Sequence, residues 1–354
     1  AGDGWSRDPF AAETIDGELW GRGAIDVKSL GIAHLAAFLD LAARRDELER
    51  GVVFLAVADE ENGGGRGTGW LFERHPGLFD GVAGALGEGG SAKAVNGRLL
   101  WWGVETAQKR PLWLQATARG RAGHASGINP GSAPHDLVKG LAGLLELPRE
   151  WRVSPPVRRY LRALAPLHGG AVAARFRDPD SWVGPAGPRG PMSPGQANLF
   201  LDSVQVTMLE AGERINVVPP VARARIDVRL LPDTDADAFL ARTREALGPA
   251  VEVEVLLAAP PSEPSPDSGP LWQVLTDVLS REAPVVPSFM PGFTDSRFFR
   301  QRGIPTYGVA PFALEPHLLR GIHGIDERMP VDEFERGVER VREIVRTYAT
   351  GASE

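Results

Sequence analysis

The sequence has no cysteine and no long uninterrupted apolar run. Without cysteine there can be no disulfide, no thiolate metal site and no cysteine nucleophile. A membrane-spanning helix needs about 18 or more consecutive apolar residues. The longest apolar-rich segment, residues 30–43, contains His34 and Asp40 and predicts an amphipathic helix instead. Basic residues number 39 against 46 acidic ones and form no dense arm, which argues against nucleic acid as a partner.

Length and composition indicate a folded protein of two domains. The chain has 354 residues, of which 43% are hydrophobic and 24% charged, a balance typical of a globular protein with a sizeable core. Residues 51–58 and 81–86 are short apolar runs that predict buried strands of a parallel sheet. Acidic residues follow both runs, at the sheet edge where open α/β folds bind ligands.

The middle of the chain has a different pattern. Residues 112–118, 203–208 and 222–230 alternate in hydrophobicity, which predicts antiparallel strands with one face in water. Apolar residues at helical spacing predict helices at residues 133–147 and 235–247. These elements together indicate a separate α+β domain.

The predicted fold is α/β, with a mixed, mainly parallel sheet flanked by helices. We expect residues 1–108 and 259–354 to form this catalytic domain, and residues 109–258 to form the inserted α+β domain. Residues 175–198 are rich in proline and glycine and predict a long surface loop.

Because cysteine is absent, any metal site must be built from His, Asp and Glu, a ligand set that suits zinc, cobalt or manganese. Each candidate also has a structural interpretation: a helix N-cap, a solvated loop, a polar turn or a buried core histidine. Adjacent carboxylates favour function, because they repel each other unless a cation or a shifted pKa relieves them. The candidates are Asp26, Glu60, Glu61, Glu88 and His323.

Nine segments occur in an order that resembles the M20 family of co-catalytic zinc amidohydrolases. That family includes aminoacylases, carboxypeptidases and deacylases, and the carboxypeptidase S and N-acyl amino acid hydrolase branch is the most similar. The segments are Trp5 with residues 8–10 (DPF), 21–28 (GRGAIDVK), 59–61 (DEE), 87–90 (GEGG), 120–126 (GRAGHAS), 216–219 (NVVP), 227–232 (DVRLLP), 294–297 (TDSR) and 321–328 (GIHGIDER).

The resemblance implies a metal centre in the α/β domain. Asp26 matches the carboxylate that bridges two zinc ions, Glu61 and His323 match the other ligands of one ion, and Glu88 matches the acidic ligand of the second. Glu60 matches the general base, which takes a proton from the metal-activated water and delivers it to the leaving amine.

The resemblance also implies roles outside the metal ligands. His124 matches the histidine that reaches the neighbouring subunit's site and stabilises the oxyanion, so we expect a homodimer formed through the inserted domain. Asn216 and Arg229 match residues that bind the substrate carboxylate, although a turn asparagine and a strand-face arginine are the simpler interpretations. Thr294 and Asp295 are expected to shape the pocket or to form only a turn.

One family motif has no counterpart. Members carry a His-x-Asp motif upstream, in which the His is a metal ligand, whereas the first histidine here is His34, after Asp26. We therefore expect a chain that lacks an N-terminal segment and some strands of the sheet. Two zinc ions are expected in the intact protein, with cobalt or manganese also compatible. In this chain one site is complete, and the second, with Asp26 and Glu88, is weak.

The predicted function is metal-dependent hydrolysis of an amide bond in an N-acyl amino acid or a small peptide with a free carboxylate. Two alternatives stay open. One is a dinuclear aminopeptidase-like hydrolase that recognises a free amine on its substrate, and the other is a non-catalytic homologue that binds small ligands or only dimerises. The cellular location is open, with the cytoplasm favoured, because any export signal would lie upstream.

Overall fold

The computed structural model describes residues 4–351, which form two compact units. The first unit contains residues 4–107, 263–290 and 294–351, and the second contains residues 108–262 and 291–293. The second unit is thus an insertion in the chain of the first.

The strands of the described residues range from two to eleven residues in length. In chain order they are β1 (Thr14–Ile15), β2 (Glu18–Trp20), β3 (Ala85–Gly87), β4 (Ser91–Val95), β5 (Arg98–Gln108), β6 (Arg110–Arg119), β7 (Gly123–His124), β8 (Val183–Gly184), β9 (Gly187–Pro188), β10 (Ser203–Ala211), β11 (Val217–Val218), β12 (Val221–Leu230), β13 (Val251–Ala258), β14 (Val285–Met290), β15 (Thr306–Gly308) and β16 (Arg328–Pro330).

No helix between residues 4 and 351 is long and apolar enough to cross a membrane. In chain order the α-helices are α1 (Lys28–Ala42), α2 (Thr68–Arg74), α3 (Ala133–Leu145), α4 (Pro155–Leu164), α5 (Gly170–Arg177), α6 (Pro194–Ala197), α7 (Ala236–Leu247), α8 (Pro270–Leu279), α9 (Ser296–Arg300), α10 (Pro316–Leu319) and α11 (Val331–Thr350).

The first unit has a mixed sheet flanked by helices, which confirms the predicted fold class. The strand order is β14-β5-β15-β3, with β4 paired to β5. Strands β15 and β3 are parallel, whereas β5 runs antiparallel to β4 and to β15. The parallel share is smaller than predicted, because residues 51–58 add no strand within the described residues.

The apolar run at residues 51–58 is the main correction to the predicted fold. The composition predicts a buried strand here, yet Val53 is 71% exposed. The run borders a cavity of about 640 Å³ whose wall also includes residues 82–86. Apolar composition predicts burial, but a strand also needs a hydrogen-bonded neighbour, and no strand between residues 4 and 351 pairs with this run.

Helices α1, α8 and α11 bury apolar side chains in the first unit. Helix α1 buries Leu30, Ala33 and Ala37 against Val338 and Val341 of α11. Helix α8 packs in a second cluster with side chains of β5 and β15. This packing fixes the start of α1, just after the predicted ligand Asp26, and the start of α11, which follows the segment with the predicted ligand His323.

The second unit is an antiparallel sheet of order β10-β12-β6-β13, and it confirms the strands and helices predicted in this region. Leu114 and Ala116 of β6 and Ile226 of β12 are buried in one cluster with Leu137 and Leu141 of α3. The alternation of β12 has its physical cause in this packing, since every second side chain enters the core.

Residues 175–198 are more ordered than the predicted surface loop. They contain the end of α5, the β8–β9 hairpin and α6, which begins with a capping box formed by Ser193 and Gln196. Trp182 is buried against Phe200 and lies under the guanidinium of Arg175. This aromatic anchor explains why a segment rich in proline and glycine is structured.

Candidate metal centre

Three predicted ligands of the first unit converge at one point. His323 Nε2 lies 3.0 Å from Asp26 Oδ2 and 3.0 Å from Glu61 Oε1. One ligand atom from each residue lies within 4.8 Å of the other two. Two carboxylate oxygens and an imidazole nitrogen form a ligand set that zinc, cobalt and manganese accept.

The structure rules out the structural interpretations of Asp26 and His323. The N-cap of α1 is Val27, and it makes no side-chain capping hydrogen bond, so Asp26 is not the helix cap. The side chain of His323 is 66% exposed, so it is not a core histidine. His323 also has a positive φ of 54°, an uncommon conformation outside glycine that often marks a functional position.

Glu60 and Glu61 lie on a short 3₁₀ helix that directly follows the apolar run at residues 51–58. This helix, Glu60–Asn62, is bounded by left-handed residues, Asp59 with φ 76° and Gly63 with φ 92°. These two left-handed residues turn the chain so that the adjacent carboxylates lie near Asp26, and Glu61 belongs to the ligand group.

Glu88 follows β3 and shares a side-chain hydrogen bond with Asp26. The two glycines after Glu88 have positive φ, and Gly90 has no room for a side chain. A Cβ there would lie 2.6 Å from the carbonyl oxygens of Gly103 and Gly308. This close backbone packing holds the turn that carries Glu88.

The acidic residues raise one another's pKa. Burial, followed by the charges of Glu60 and Asp26, raises the pKa of Glu88 to about 9. Burial, followed by the charges of Asp295, Glu61 and Asp26, raises the pKa of Glu60 to about 7. Burial and Glu61 likewise raise the pKa of Asp26. A group of carboxyls held this close is stabilised by a bound cation, so the residues fit the divalent metal that the resemblance implies.

His323 responds to the same carboxylates. Partial burial lowers the pKa of the imidazole, but the hydrogen bond and charge of Glu61 and the charge of Asp26 raise it more, so the net shift is upward. An imidazole must be neutral to bind a metal. Metal binding at this group therefore has to release protons.

Thr294 and Asp295 come just before α9. The carboxylate of Asp295 accepts a hydrogen bond of 2.6 Å from Thr68 Oγ1. A Cβ on Gly64 would lie 2.0 Å from its Oδ1, so Asp295 packs against the loop that follows Glu61. Thr294 is buried, and its hydroxyl accepts a hydrogen bond of 3.2 Å from the N–H of Ser296.

His124 and Asn216 lie together in the second unit. Strand β7 pairs with β11, which puts His124 opposite Val217, and the N–H of Ala125 donates a 3.0 Å hydrogen bond to the carbonyl of Asn216. The exposed imidazole of His124 has its Nδ1 2.7 Å from Ser126 Oγ.

Arg229 lies at the other end of the same unit. It is the ninth residue of β12, whereas Asn216 precedes that strand, and ten strand residues span about 30 Å. Arg229 donates from Nε and Nη2 to Asp227 at 2.6 and 2.7 Å and stacks over Phe293. A single subunit therefore does not bring the two predicted carboxylate-binding residues together.

Glu327 is a residue at the site for which the sequence alone suggests no role. It lies in the segment of His323, is fully buried, and contacts the backbone of the turn that carries Asp26. An acidic residue close to a predicted ligand is the available sequence signal. Its burial could not be predicted, because the partner turn is some 300 positions away in sequence.

Comparison with known proteins decides the family. A sequence model described as Peptidase family M20/M25/M40 matches residues 1–347. The chain belongs to this peptidase family. Its membership confirms the predicted resemblance and makes it a hydrolase of the metallopeptidase and amidohydrolase class, with a divalent metal implied by the family.

Curated relatives agree with this assignment. Aminoacylase-1 of Mus musculus is 30% identical over 342 residues, which cover 95% of this chain and 73% of that protein. The N-fatty-acyl-amino acid synthase/hydrolase of Homo sapiens is 25% identical over 362 residues, 98% of this chain and 71% of that protein. The second name describes a protein that makes and hydrolyses N-fatty-acyl amino acids.

The fold is similar to that of human carnosine dipeptidase 1, with a TM-score of 0.69, 15% identity, and coverage of 98% of this chain and 77% of that one. It is also similar to an M20 family metallo-carboxypeptidase from Sulfolobus solfataricus, with a TM-score of 0.67, 18% identity, and coverage of 98% and 81%. At these identities the likeness shows the fold alone.

Proposed function

We propose that this hydrolase cleaves the amide bond of N-acyl amino acids, or of small peptides with a free carboxylate. The observation that carries the proposal is the convergence of Asp26, Glu61 and His323, with the carboxyl of Glu60 close by but outside the ligand group. One acid of the adjacent pair is thus available to hold a metal while the other is free to move protons.

Asp26, Glu61 and His323 are the residues that would hold the first metal, and we propose zinc. Asp26 also bonds Glu88, which supports a bridging role toward a second ion. When bound, zinc polarises the scissile carbonyl and lowers the pKa of water. The chain supplies the ligands and their geometry, and Glu88 supplies the acidic ligand of the second ion.

Glu60 is proposed as the general base. Its pKa is raised to about 7, so its carboxyl can exchange a proton near neutral pH. It takes a proton from the attacking water and gives it to the nitrogen of the leaving amine. Arg297 lowers the pKa of Glu60 and also donates to the carbonyl of Gly63, so it limits the shift and holds the loop.

His124 is proposed to stabilise the oxyanion in the active site of the partner subunit of a homodimer. His124 and Asn216 lie at one end of the second unit and Arg229 lies at the other, so two copies could combine these groups in one site. Arg229 uses Nε and Nη2 for Asp227, and its Nη1 is proposed to contact the substrate carboxylate.

The test of this function is the substitution Glu60→Gln in the zinc-loaded protein. Substrates are N-acyl amino acids and dipeptides, each paired with its carboxyl-amidated form and with free-amine analogues, and release of the amine is measured. We expect kcat to fall at least about 100-fold, as for the loss of a general base, with zinc content unchanged.

The control is Glu73→Gln, an exposed acid of α2. Turnover within a few-fold of the unmutated enzyme would exclude Glu60 as the base. Preference for free-amine substrates would favour the aminopeptidase alternative.

A further inference from the structure

We propose that Glu327 is a positioning residue that holds the Asp26 turn in place for metal binding. The inference rests on the metal centre proposed above, but it concerns a residue that contributes no ligand atom to that centre. Glu327 acts on the ligand through its backbone, in the segment that also carries His323.

The carboxylate of Glu327 accepts four hydrogen bonds from one turn. Oε1 accepts from the N–H groups of Ile25 and Asp26 at 2.8 and 2.9 Å. Oε2 accepts from the N–H of Gly23 and from Nη1 of Arg22 at 2.8 and 2.9 Å. A carboxylate has about four acceptor positions, and this turn occupies all of them.

Burial makes these bonds strong. The side chain of Glu327 is 0% exposed, and that of Arg22 is 37% exposed. A buried carboxylate is costly unless it is paired and fully hydrogen-bonded. In a site of low dielectric, bonds to an ionised acceptor are stronger than neutral ones. The carboxylate that holds the turn at residues 22–26 is therefore out of reach of water and cannot exchange these hydrogen bonds for bonds to solvent.

Further contacts join the same two segments. The N–H of Gly21 donates to the carbonyl of Glu327 at 3.0 Å, and Arg22 donates from Nη2 to the carbonyl of Gly324. Glu327 lies four residues after His323. The segment that ends at Asp26 is thus tied by side-chain and main-chain bonds to the residues that follow His323.

The bond to the N–H of Asp26 is the step that connects Glu327 to metal binding. The carboxylate of Asp26 has to meet His323 Nε2 on one side and Glu88 on the other. A side chain with two partners tolerates little movement of its main chain. Partners that orient metal ligands typically account for 10- to 100-fold in metal affinity.

The substitution Glu327→Gln tests this role with almost no change of shape. An amide has one acceptor oxygen and one NH₂ donor. Whichever way the amide is turned, its NH₂ faces either the N–H groups of Ile25 and Asp26 or those of Gly23 and Arg22. One pair of donors then loses its acceptor, and the turn has to shift.

Glu333→Gln is the matched control. Glu333 is also buried, at 5% exposure, and its carboxylate accepts hydrogen bonds from a backbone N–H and two arginines. Its donors are Ala313, Arg336 and Arg340, and none of these is a ligand of the proposed centre. Both substitutions remove a buried carboxylate from the first unit, so both are expected to lower the melting temperature.

The measurements are zinc affinity, by competition with a chromogenic chelator, and the visible absorption spectrum of the cobalt-loaded protein. We expect Glu327→Gln to weaken zinc binding at least about tenfold and to change the cobalt spectrum. Glu333→Gln should keep both within about twofold of the unmutated protein. Equal affinity and an unchanged spectrum in a folded Glu327→Gln protein would overturn the inference while leaving the proposed function intact.

Two further outcomes are decisive. If Glu327→Gln does not fold, Glu327→Asp keeps the charge but shortens the side chain by one methylene, which draws the carboxylate away from the N–H groups of Ile25 and Asp26. Weaker zinc binding then supports the role, and unchanged zinc binding overturns it. If the unmutated chain binds no zinc, or if Asp26→Ala binds as much as the unmutated chain, the metal centre itself is wrong and both proposals fail.

Discussion

His323 Nε2 lies 3.0 Å from Asp26 Oδ2, although the two residues come from opposite ends of the chain. Asp26 comes just before α1 and His323 before α11, and these helices pack against each other through a shared core. The ligand pair is therefore a direct product of the helix packing in the first unit. Glu61 joins it from the 3₁₀ helix at residues 60–62.

Zinc content is the first prediction. The purified chain, equilibrated with trace zinc and dialysed, should retain about one zinc ion, because one ligand group contains three donors. Asp26→Ala should lose it, since this residue contacts both His323 and Glu88. Elemental mass spectrometry measures both. Retention of zinc by Asp26→Ala would place the metal elsewhere, and about two ions per chain would show that the Glu88 side also binds one.

The second prediction concerns how the stability of the folded chain depends on pH with and without metal. In the metal-free chain the pKa of Glu88 is raised to about 9 and that of Glu60 to about 7, from 4.5 for the unperturbed group. The folded chain therefore binds more protons than the unfolded chain above about pH 4.5, so its stability falls as the pH rises toward about 9. Zinc binding needs ionised carboxylates and a neutral imidazole, so zinc should stabilise the protein more as the pH rises.

Thermal unfolding with and without a chelator measures this effect. Glu88→Gln removes the group with the larger shift, so the loss of stability with rising pH should become smaller in the chelated protein. Glu73→Gln, which alters an exposed acid, should leave the slope unchanged. A slope that is identical in all three proteins would show that Glu88 is ionised in the folded chain.

The second unit shows how far hydrophobic pattern alone predicts structure. In β12 every second residue is buried, and the alternation in residues 222–230 predicts the strand correctly because one face meets the core. The run at residues 51–58 has the composition of a buried strand but not its pairing. Apolar composition predicts that a segment is buried, whereas strand formation also depends on which other segments lie beside it.

The site residues likewise include some that the sequence predicts and some that only the folded structure reveals. The ordered motifs point to Asp26, Glu61 and His323, and the structure brings these three together. The role proposed for Glu327 depends on a buried contact between distant segments, which no spacing along the chain encodes. The bidentate bond between Arg229 and Asp227 was equally unpredictable, because it depends on side-chain conformation and on the nearby ring of Phe293.

The last prediction concerns the subunit that supplies His124. If His124 acts in the partner's site, a mixed dimer of Glu60→Gln and His124→Ala subunits contains one site with both groups intact. If it acts in its own subunit, neither site of the mixed dimer is intact. Random mixing of two inactive variants should therefore restore about a quarter of the unmutated activity, since half of the dimers are mixed and each has one working site.

The control for this experiment is the double variant Glu60→Gln, His124→Ala, mixed with the Glu60→Gln protein. No dimer in that mixture contains an intact Glu60, so its activity should stay at the level of the single variants. Light scattering follows the assembly state of each mixture. Dimers that exchange subunits without any recovery would place His124 in its own subunit's site or outside the reaction, and a monomer at micromolar concentration would count against a role across the interface.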